Sequence, residues 1–108
     1  MLFRKKELYY KMRIITRGTL QEFWEKYPQA EQALKAWYAE AKSATWSTPD
    51  DVKEKYGSAS IINRNRVVFN ICGNKYRLVV RIAYQIGCIY IRFVGTHKEY
   101  DQIDVEVI

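Results

Sequence analysis

Arg66-Val67-Val68-Phe69-Asn70-Ile71, then Gly73-Asn74-Lys75, then Tyr76-Arg77-Leu78-Val79-Val80-Arg81-Ile82-Ala83-Tyr84, and after Gln85-Ile86-Gly87 the run Ile89-Tyr90-Ile91-Arg92-Phe93-Val94-Gly95, form the stretch that decides the fold. Its β-branched and aromatic residues recur with period two, which predicts strands over 66–71, 76–84 and 89–95. Gly73-Asn74 reads as a two-residue hairpin turn and Gln85-Ile86-Gly87 as the next connection, so the three strands form an antiparallel meander. Side chains alternate across each strand. Val67, Phe69, Ile71, Tyr76, Leu78, Val80, Ile82, Ile89, Ile91 and Phe93 are expected on one apolar face. Arg66, Val68, Asn70, Lys75, Arg77, Val79, Arg81, Tyr90, Arg92 and Val94 are expected on the other.

Upstream of Gly57 the period lengthens to that of a helix. Thr19 with Glu22 reads as a capping box, and Leu20, Phe23, Trp24 and Tyr27 follow at helical spacing. After Pro28, Ala30, Ala33, Leu34, Trp37, Ala41 and Ala44 fall on one stripe, which predicts a second helix packed on the sheet. Ser47-Thr48-Pro49-Asp50-Asp51 offers a cap, a proline for the first helical position and early acids, so a short third helix is expected up to Tyr56. The β-branched segment 12–17 reads as a first strand, 96–103 as a short helical turn, and 104–108 as an acidic, apolar tail. The fold class is therefore α+β: a small, mainly antiparallel sheet of an N-terminal strand and a C-terminal three-strand meander, packed by two or three N-terminal helices.

The 108 residues suffice for one domain, and 48% apolar with 15% aromatic residues supply a core. No run of eighteen apolar residues is present, and 1–11 has neither the apolar stretch nor the cleavage site of a signal peptide, so a cytoplasmic chain without a membrane span is expected. Cys72, Cys88 and the one histidine, His97, have no zinc-site spacing; two free thiols, no metal and no cofactor are expected.

The charge is unevenly arranged. The net charge is +6, yet residues 55–98 hold eight basic residues and not one Asp or Glu, while 99–108 hold four acids and no base. A sheet covered on one side can simply solvate its other face with charge. Such a face normally mixes signs, however, because like charges opposite one another repel. Clustered arginines therefore point to a polyanionic partner, and the planar guanidinium fork suits phosphate. Directly after the strand carrying Arg92 comes Gly95-Thr96-His97-Lys98-Glu99-Tyr100-Asp101. His97 is a side chain able to exchange a proton near neutrality, with Tyr100 three residues on and on the same side of a helical turn. Either side chain could instead be purely structural. Their place at the end of the basic strand is what nominates them as acid/base groups beside a phosphate site.

On these residues the chain resembles the HigB-type toxins of bacterial toxin-antitoxin modules, members of the RelE-like superfamily. The resemblance runs over about 12–103 and is densest in Asn65-Arg66-Val67-Val68-Phe69-Asn70-Ile71, Gly73-Asn74-Lys75-Tyr76-Arg77-Leu78-Val79-Val80, Tyr90-Ile91-Arg92-Phe93, Gly95-Thr96-His97 and Glu99-Tyr100-Asp101. Met12-Arg13-Ile14-Ile15-Thr16 looks like the start of this family, which makes 1–11 an N-terminal extension and 12–108 a single RelE-like toxin domain. The resemblance implies an endoribonuclease that cleaves messenger RNA, typically on the translating ribosome. It also implies a helix-turn-helix antitoxin of the HigA type, which binds the toxin and represses their operon, and a toxin-antitoxin heterotetramer. The family's basic strand residues match Lys75, Arg77, Arg81 and Arg92, and its C-terminal acid/base group matches His97 or Tyr100; similarity leaves open which of the two moves the proton.

The expected catalytic set is thus Arg92, His97, Tyr100, Arg77 and Lys75, with Arg64, Arg66, Asn70, Arg81 and Lys98 contacting RNA. Arg92 leads because alternation aims it at the basic face and the chain turns from it into His97. The expected chemistry is attack of the RNA 2′-hydroxyl on the adjacent phosphate, without a metal. Two other readings fit the same basic face: a non-catalytic RNA- or ribosome-binding module, and a gyrase-targeting relative on the same scaffold. His97 with Tyr100 favours the nuclease.

Overall fold

A computed structural model describes residues 12–16 and 18–108. The expected extension 1–11 lies outside the described residues, as does Arg17. The elements run β1 (Arg13–Ile15), α1 (Gly18–Lys26), α2 (Glu31–Ser43), α3 (Pro49–Lys55), β2 (Ser60–Ile61), β3 (Arg66–Ile71), β4 (Tyr76–Ala83), β5 (Cys88–Thr96) and α4 (His97–Tyr100), with 3₁₀ turns at Pro28–Ala30 and Tyr84–Ile86. The sheet order is β1-β5-β4-β3-β2. β1 lies parallel to β5 and every other pair is antiparallel, so the fold is α+β with the expected meander at its centre. Two features extend the sequence reading: the sheet has a fifth, two-residue strand, β2, and its first strand joins in parallel.

Three local signals act as read. Thr48 caps α3 through the Asp51 amide while the Asp51 carboxylate accepts from the Thr48 amide, and Pro49 stands at the first helical position. The α2 stripe buries Leu34, Trp37 and Ala41 against the sheet. Gly87, at φ +65°, lets the 3₁₀ turn after β4 reverse into β5.

Two signals act differently. α1 already begins at Gly18, which puts Thr19 inside the first turn and not at the cap. The β3–β4 connection is a four-residue loop, since Ile71 pairs with Tyr76, and its left-handed residues are Cys72 (φ 57°) and Gly73 (φ 65°), not Gly73-Asn74.

One face of the sheet forms the core. Val67, Phe69, Leu78, Val80, Ile82, Ile89 and Ile91 pack with Leu20, Phe23, Leu34, Trp37 and Ala41 of the helices. Trp37 meets the Phe69 ring at 5.4 Å between centroids, and Trp46 and Tyr56 close the same aromatic cluster. No helix among the described residues is long and apolar enough to cross a membrane. Cys72 and Cys88 are both free thiols.

The sheet is irregular at one place, and it matters for the site. Val79 pairs with Phe93 and Val80 with Ile91, so Arg92 is the extra residue of a β-bulge. Beyond it the alternation of β5 is inverted. Phe93, expected in the core, stands with Val79 on the basic face, and Val94, expected on the basic face, packs against the core opposite Leu78.

Candidate functional site

The second face of the sheet gathers the arginines in register. Arg66 is paired with Arg81, and Asn70 with Arg77, while on the other side of β4 Arg81 faces Tyr90 and Arg77 faces Gly95. Among the described residues none of these arginines is ion-paired with a carboxylate. Guanidinium groups at this spacing repel one another, and nothing within the sheet offsets it.

At one end of the face a compact cluster forms around Arg77. Its Nη1 donates to the Asn74 carbonyl and side-chain oxygens (3.3 and 3.2 Å), and its Nη2 meets His97 Nε2 at 2.6 Å. Its guanidinium carbon stands 5.7 Å from the centre of the Tyr100 ring, within cation–π range. On the far side of the imidazole, Nδ1 lies 3.9 Å from Asp101 Oδ1. A guanidinium has donors only, so Nε2 must present its lone pair to Arg77. The ring proton then sits on Nδ1, towards Asp101. The imidazole is thus held with its basic nitrogen against the cation that would also meet a phosphate.

Local sequence explains why these groups converge. Thr96 caps α4 through the Glu99 amide (3.1 Å), and Glu99 returns the contact to the Thr96 amide (2.9 Å), which starts a helical turn directly at the end of β5. His97 and Tyr100 then share one side of that turn. Gly95, opposite Arg77, lets two side chains close over it, since a Cβ there would meet Phe93 Cζ at 2.5 Å and Glu99 Oε1 at 2.8 Å and displace both. The bulge supplies the Phe93 ring, which leans on Tyr100 at 6.4 Å. His97 remains half exposed, so the cluster is open to a large ligand.

The other candidate residues have different neighbours. Lys75 leaves the loop towards the helices and donates to Gln29 Oε1 (2.7 Å), so it does not join His97. Arg92, expected to lead the catalytic set, lies exposed at the bulge with its Nε on the main-chain oxygen of Ile108 (3.3 Å). Arg66 grips the same oxygen through Nε and Nη2 (3.1 and 2.6 Å). Asn70 donates to the Ser58 carbonyl, and Arg81 stacks 5.4 Å from the centre of the Tyr90 ring. Arg64 and Arg81 border a groove of about 790 Å³ with Ser47, Thr48 and Tyr84. Among the described residues the Tyr84 hydroxyl has no hydrogen-bond partner, and burial, then the Asp51 carboxylate, pushes it up to about 12. Lys98 is exposed on α4.

Sequence reasoning passed over two members of the cluster. Asp101 stands four residues after His97 on a predicted helical turn, and that spacing is itself a readable signal for a side-chain pair. Asn74 reads in sequence as a turn residue only, whereas its carbonyl and side-chain oxygens hold Arg77. Among the described residues no group of three or more His, Cys, Asp or Glu side chains could hold a metal ion.

Comparison with known proteins gives consistent matches. Residues 30–103 match the family described as HigB_toxin, RelE-like toxic component of a toxin-antitoxin system. The mRNA interferase toxin HigB of Escherichia coli (strain K12) is 34% identical over 92 residues, which cover 83% of this chain and 88% of that protein. The mRNA interferase HigB of Shigella flexneri matches to the same extent, 34% over 92 residues. The mRNA interferase HigB of Escherichia coli O6:H1 is 27% identical over 94 residues, covering 85% of this chain and 91% of that protein.

Proposed function

We infer the work of this basic face from the family it belongs to: the chain is a member of the HigB family of RelE-like toxins, the toxic components of toxin-antitoxin systems. It is an mRNA interferase, an endoribonuclease, and its family gives it an antitoxin partner. The finer reading begins at Arg77. One observation carries it, the 2.6 Å contact between Arg77 Nη2 and the lone-pair nitrogen of His97.

A phosphate arriving at Arg77 takes the Nε/Nη2 edge of the guanidinium and so competes with His97 for Nη2. That exchange frees Nε2 beside the reacting nucleotide. His97 then accepts the proton of the 2′-hydroxyl, the 2′-oxygen bonds to phosphorus, and the bond from phosphorus to the 5′-oxygen breaks. The products are a 2′,3′-cyclic phosphate and a 5′-hydroxyl. The leaving oxygen takes its proton from the acid partner, for which Tyr100, beside the same guanidinium, is the available group. Arg77 donors on the phosphoryl oxygens stabilise the charge that develops there.

Arg92 and Lys75, off this cluster in the free protein, contact the phosphates flanking the cut. Arg64, Arg66, Asn70, Arg81 and Lys98 continue that contact along the RNA. No metal takes part in any of these steps. An open, half-exposed site does little to orient its own substrate, which supports a message presented by the translating ribosome in the cytoplasm, since orientation is the entropic part of the barrier. Neutralisation falls to a HigA-type helix-turn-helix antitoxin in a heterotetramer, and residues 12–108 act as one toxin domain.

The test is single-turnover cleavage of a defined message on purified ribosomes, with ribosome-free RNA in parallel. His97→Gln is expected to lose about 10² to 10⁴ in rate at saturating binding, and Tyr100→Phe less. A 2′-deoxy nucleotide at the scissile position must abolish cleavage; a cut at that substrate would refute the 2′-hydroxyl mechanism. If Tyr100→Phe is the inactive variant and His97→Gln retains its chemistry, the roles are exchanged.

A further inference from the structure

The end of the basic face away from His97 is already filled. Three donors from Arg66 and Arg92 converge on one main-chain oxygen, that of Ile108. The segment that delivers this oxygen carries Asp101, Asp104 and Glu106 and no basic residue. It holds its shape chiefly by itself. The Asp104 carbonyl accepts from the amides of Val107 (3.1 Å) and Ile108 (3.0 Å), and the Asp104 side chain accepts from the Glu106 amide (3.1 Å). Its anchorage on the sheet is both polar and apolar: Val107 is 70% exposed, while Ile103, Val105 and Ile108 are half-buried. Arg66 stands on β3 and Arg92 on β5, so the end of the segment lies over the arginine face between them.

One main-chain oxygen gives two guanidinium groups a single acceptor to share. A phosphate in the same place brings two charged oxygens, so that each planar fork can make charge-assisted bonds of its own. We propose that Arg66 and Arg92 form a phosphate site for the RNA strand, and that the 101–108 segment is a strap filling this site in the free toxin and leaving it when RNA enters. The inference rests on the reading of the face as an RNA-cleaving surface and adds the occupant that RNA must displace. The strap lowers the apparent affinity for RNA by the fraction of time it is docked. A toxin not engaged with its message thus keeps half of its phosphate-binding face covered.

The probe is a short, single-stranded, fully 2′-O-methylated RNA, which binds without being cut, titrated into the full chain while amide NMR follows Val107 and Ile108. Both amide signals are expected to move to unfolded-chain positions at saturation. Asp104→Ala, which loses the contact to the Glu106 amide, is expected to bind this RNA about threefold to tenfold tighter. Asp104→Asn removes the same charge but keeps an acceptor oxygen, and should gain less. In an Arg66→Gln background the Asp104→Ala gain should vanish. Unmoved Val107 and Ile108 signals at saturation, or equal gains from Asn and Ala, would overturn the strap. If that happens while Arg77→Gln still abolishes cleavage, the active-site reading survives alone. If Arg66→Gln and Arg77→Gln both leave RNA binding and cleavage intact, the reading of the whole face fails.

Discussion

Replacing Arg77 tests the site most directly, and the structure sets the size of the effect. Nη1 is committed to Asn74, so the Nε/Nη2 edge is the fork a phosphate can use once it displaces His97 from Nη2. Removing one well-aimed donor from such a centre costs about 10²–10³ in rate, or about 2.7–4 kcal/mol. Arg77→Gln takes away the charge and the fork, so its kcat should fall by at least that factor. It should also lower the dependence of RNA affinity on salt by about one phosphate contact, a slope change of about 0.7 for a single strand. Arg77→Lys keeps the charge but has no fork to hold Asn74 on one side and a phosphate on the other. It should preserve the salt slope and still lose about 10- to 100-fold in kcat. Single-turnover cleavage on ribosomes gives the rates, and the melting temperature of each variant shows that it is folded. A folded Arg77→Gln with near-normal kcat would refute the assignment. So would an Arg77→Lys indistinguishable from the parent, because the argument depends on fork geometry and not on charge alone.

Trp37 is 2% exposed against Phe69, but its indole nitrogen is buried without a partner among the described residues. Trp37→Ala should therefore destabilise by about 3–5 kcal/mol through the cavity it opens, whereas Trp37→Phe should cost far less because it also removes an unsatisfied donor; thermal unfolding separates the two. Gly95→Ala should push back the Phe93 ring and the Glu99 carboxylate, both movable side chains, so that kcat falls about tenfold while the melting temperature moves by only a few degrees; an inert Gly95→Ala would show that the placement of α4 is not critical. Asp51 is held below the ordinary carboxylate range mainly by the Ser47 amide, with the Thr48 amide and both hydroxyls adding to it. A depressed carboxyl stabilises the fold fully above its unfolded value and loses that contribution as pH falls through the native one, so the stability lost by Asp51→Asn should be present at neutral pH and begin to fade only below about pH 4; a loss independent of pH would contradict the linkage.

The parts of the fold legible in the sequence are those fixed by neighbours in the chain. The Thr48-Pro49-Asp50-Asp51 cap, the α2 stripe and the strand over Arg66–Ile71 depend on residues within a few positions of one another, and each appears as read. β2 has only two residues, Ser60 and Ile61, too few to display a period. The parallel pairing of Arg13–Ile15 with β5 joins segments more than seventy residues apart, and nothing local encodes it. Within the site, the basic face and the His97–Tyr100 spacing were readable because alternation and helical pitch are local rules. The Ile108 oxygen on Arg66 and Arg92 was not, because it depends on where the chain goes after α4.

The β5 bulge is the point at which local reasoning and structure part, and it makes a prediction that simple alternation would reverse. In an uninterrupted strand, deleting one residue moves every side chain beyond it to the opposite face, which should unfold a sheet buried on one side. Here Ile91 already pairs with Val80 and Phe93 with Val79, with Arg92 extruded between them. Deleting Arg92 should join two residues that already face opposite ways and turn the bulge into regular pairing. Phe93 would stay on the basic face, Val94 on the core, and Gly95 opposite Arg77. The expected cost is within about 1–2 kcal/mol, a shift of roughly 4–16 °C in melting temperature for a domain near this size. Deleting Tyr90 is the contrast: it brings Ile89, 0% exposed, opposite Arg81 on the basic face, and loses about 1.5–3 kcal/mol of burial from that side chain alone. Comparing the two deletions by thermal unfolding decides the matter. If the Arg92 deletion is the one that fails to fold, Arg92 is a regular member of the strand, and the inverted placement of Phe93 and Gly95 on which the Arg77 site depends is wrong.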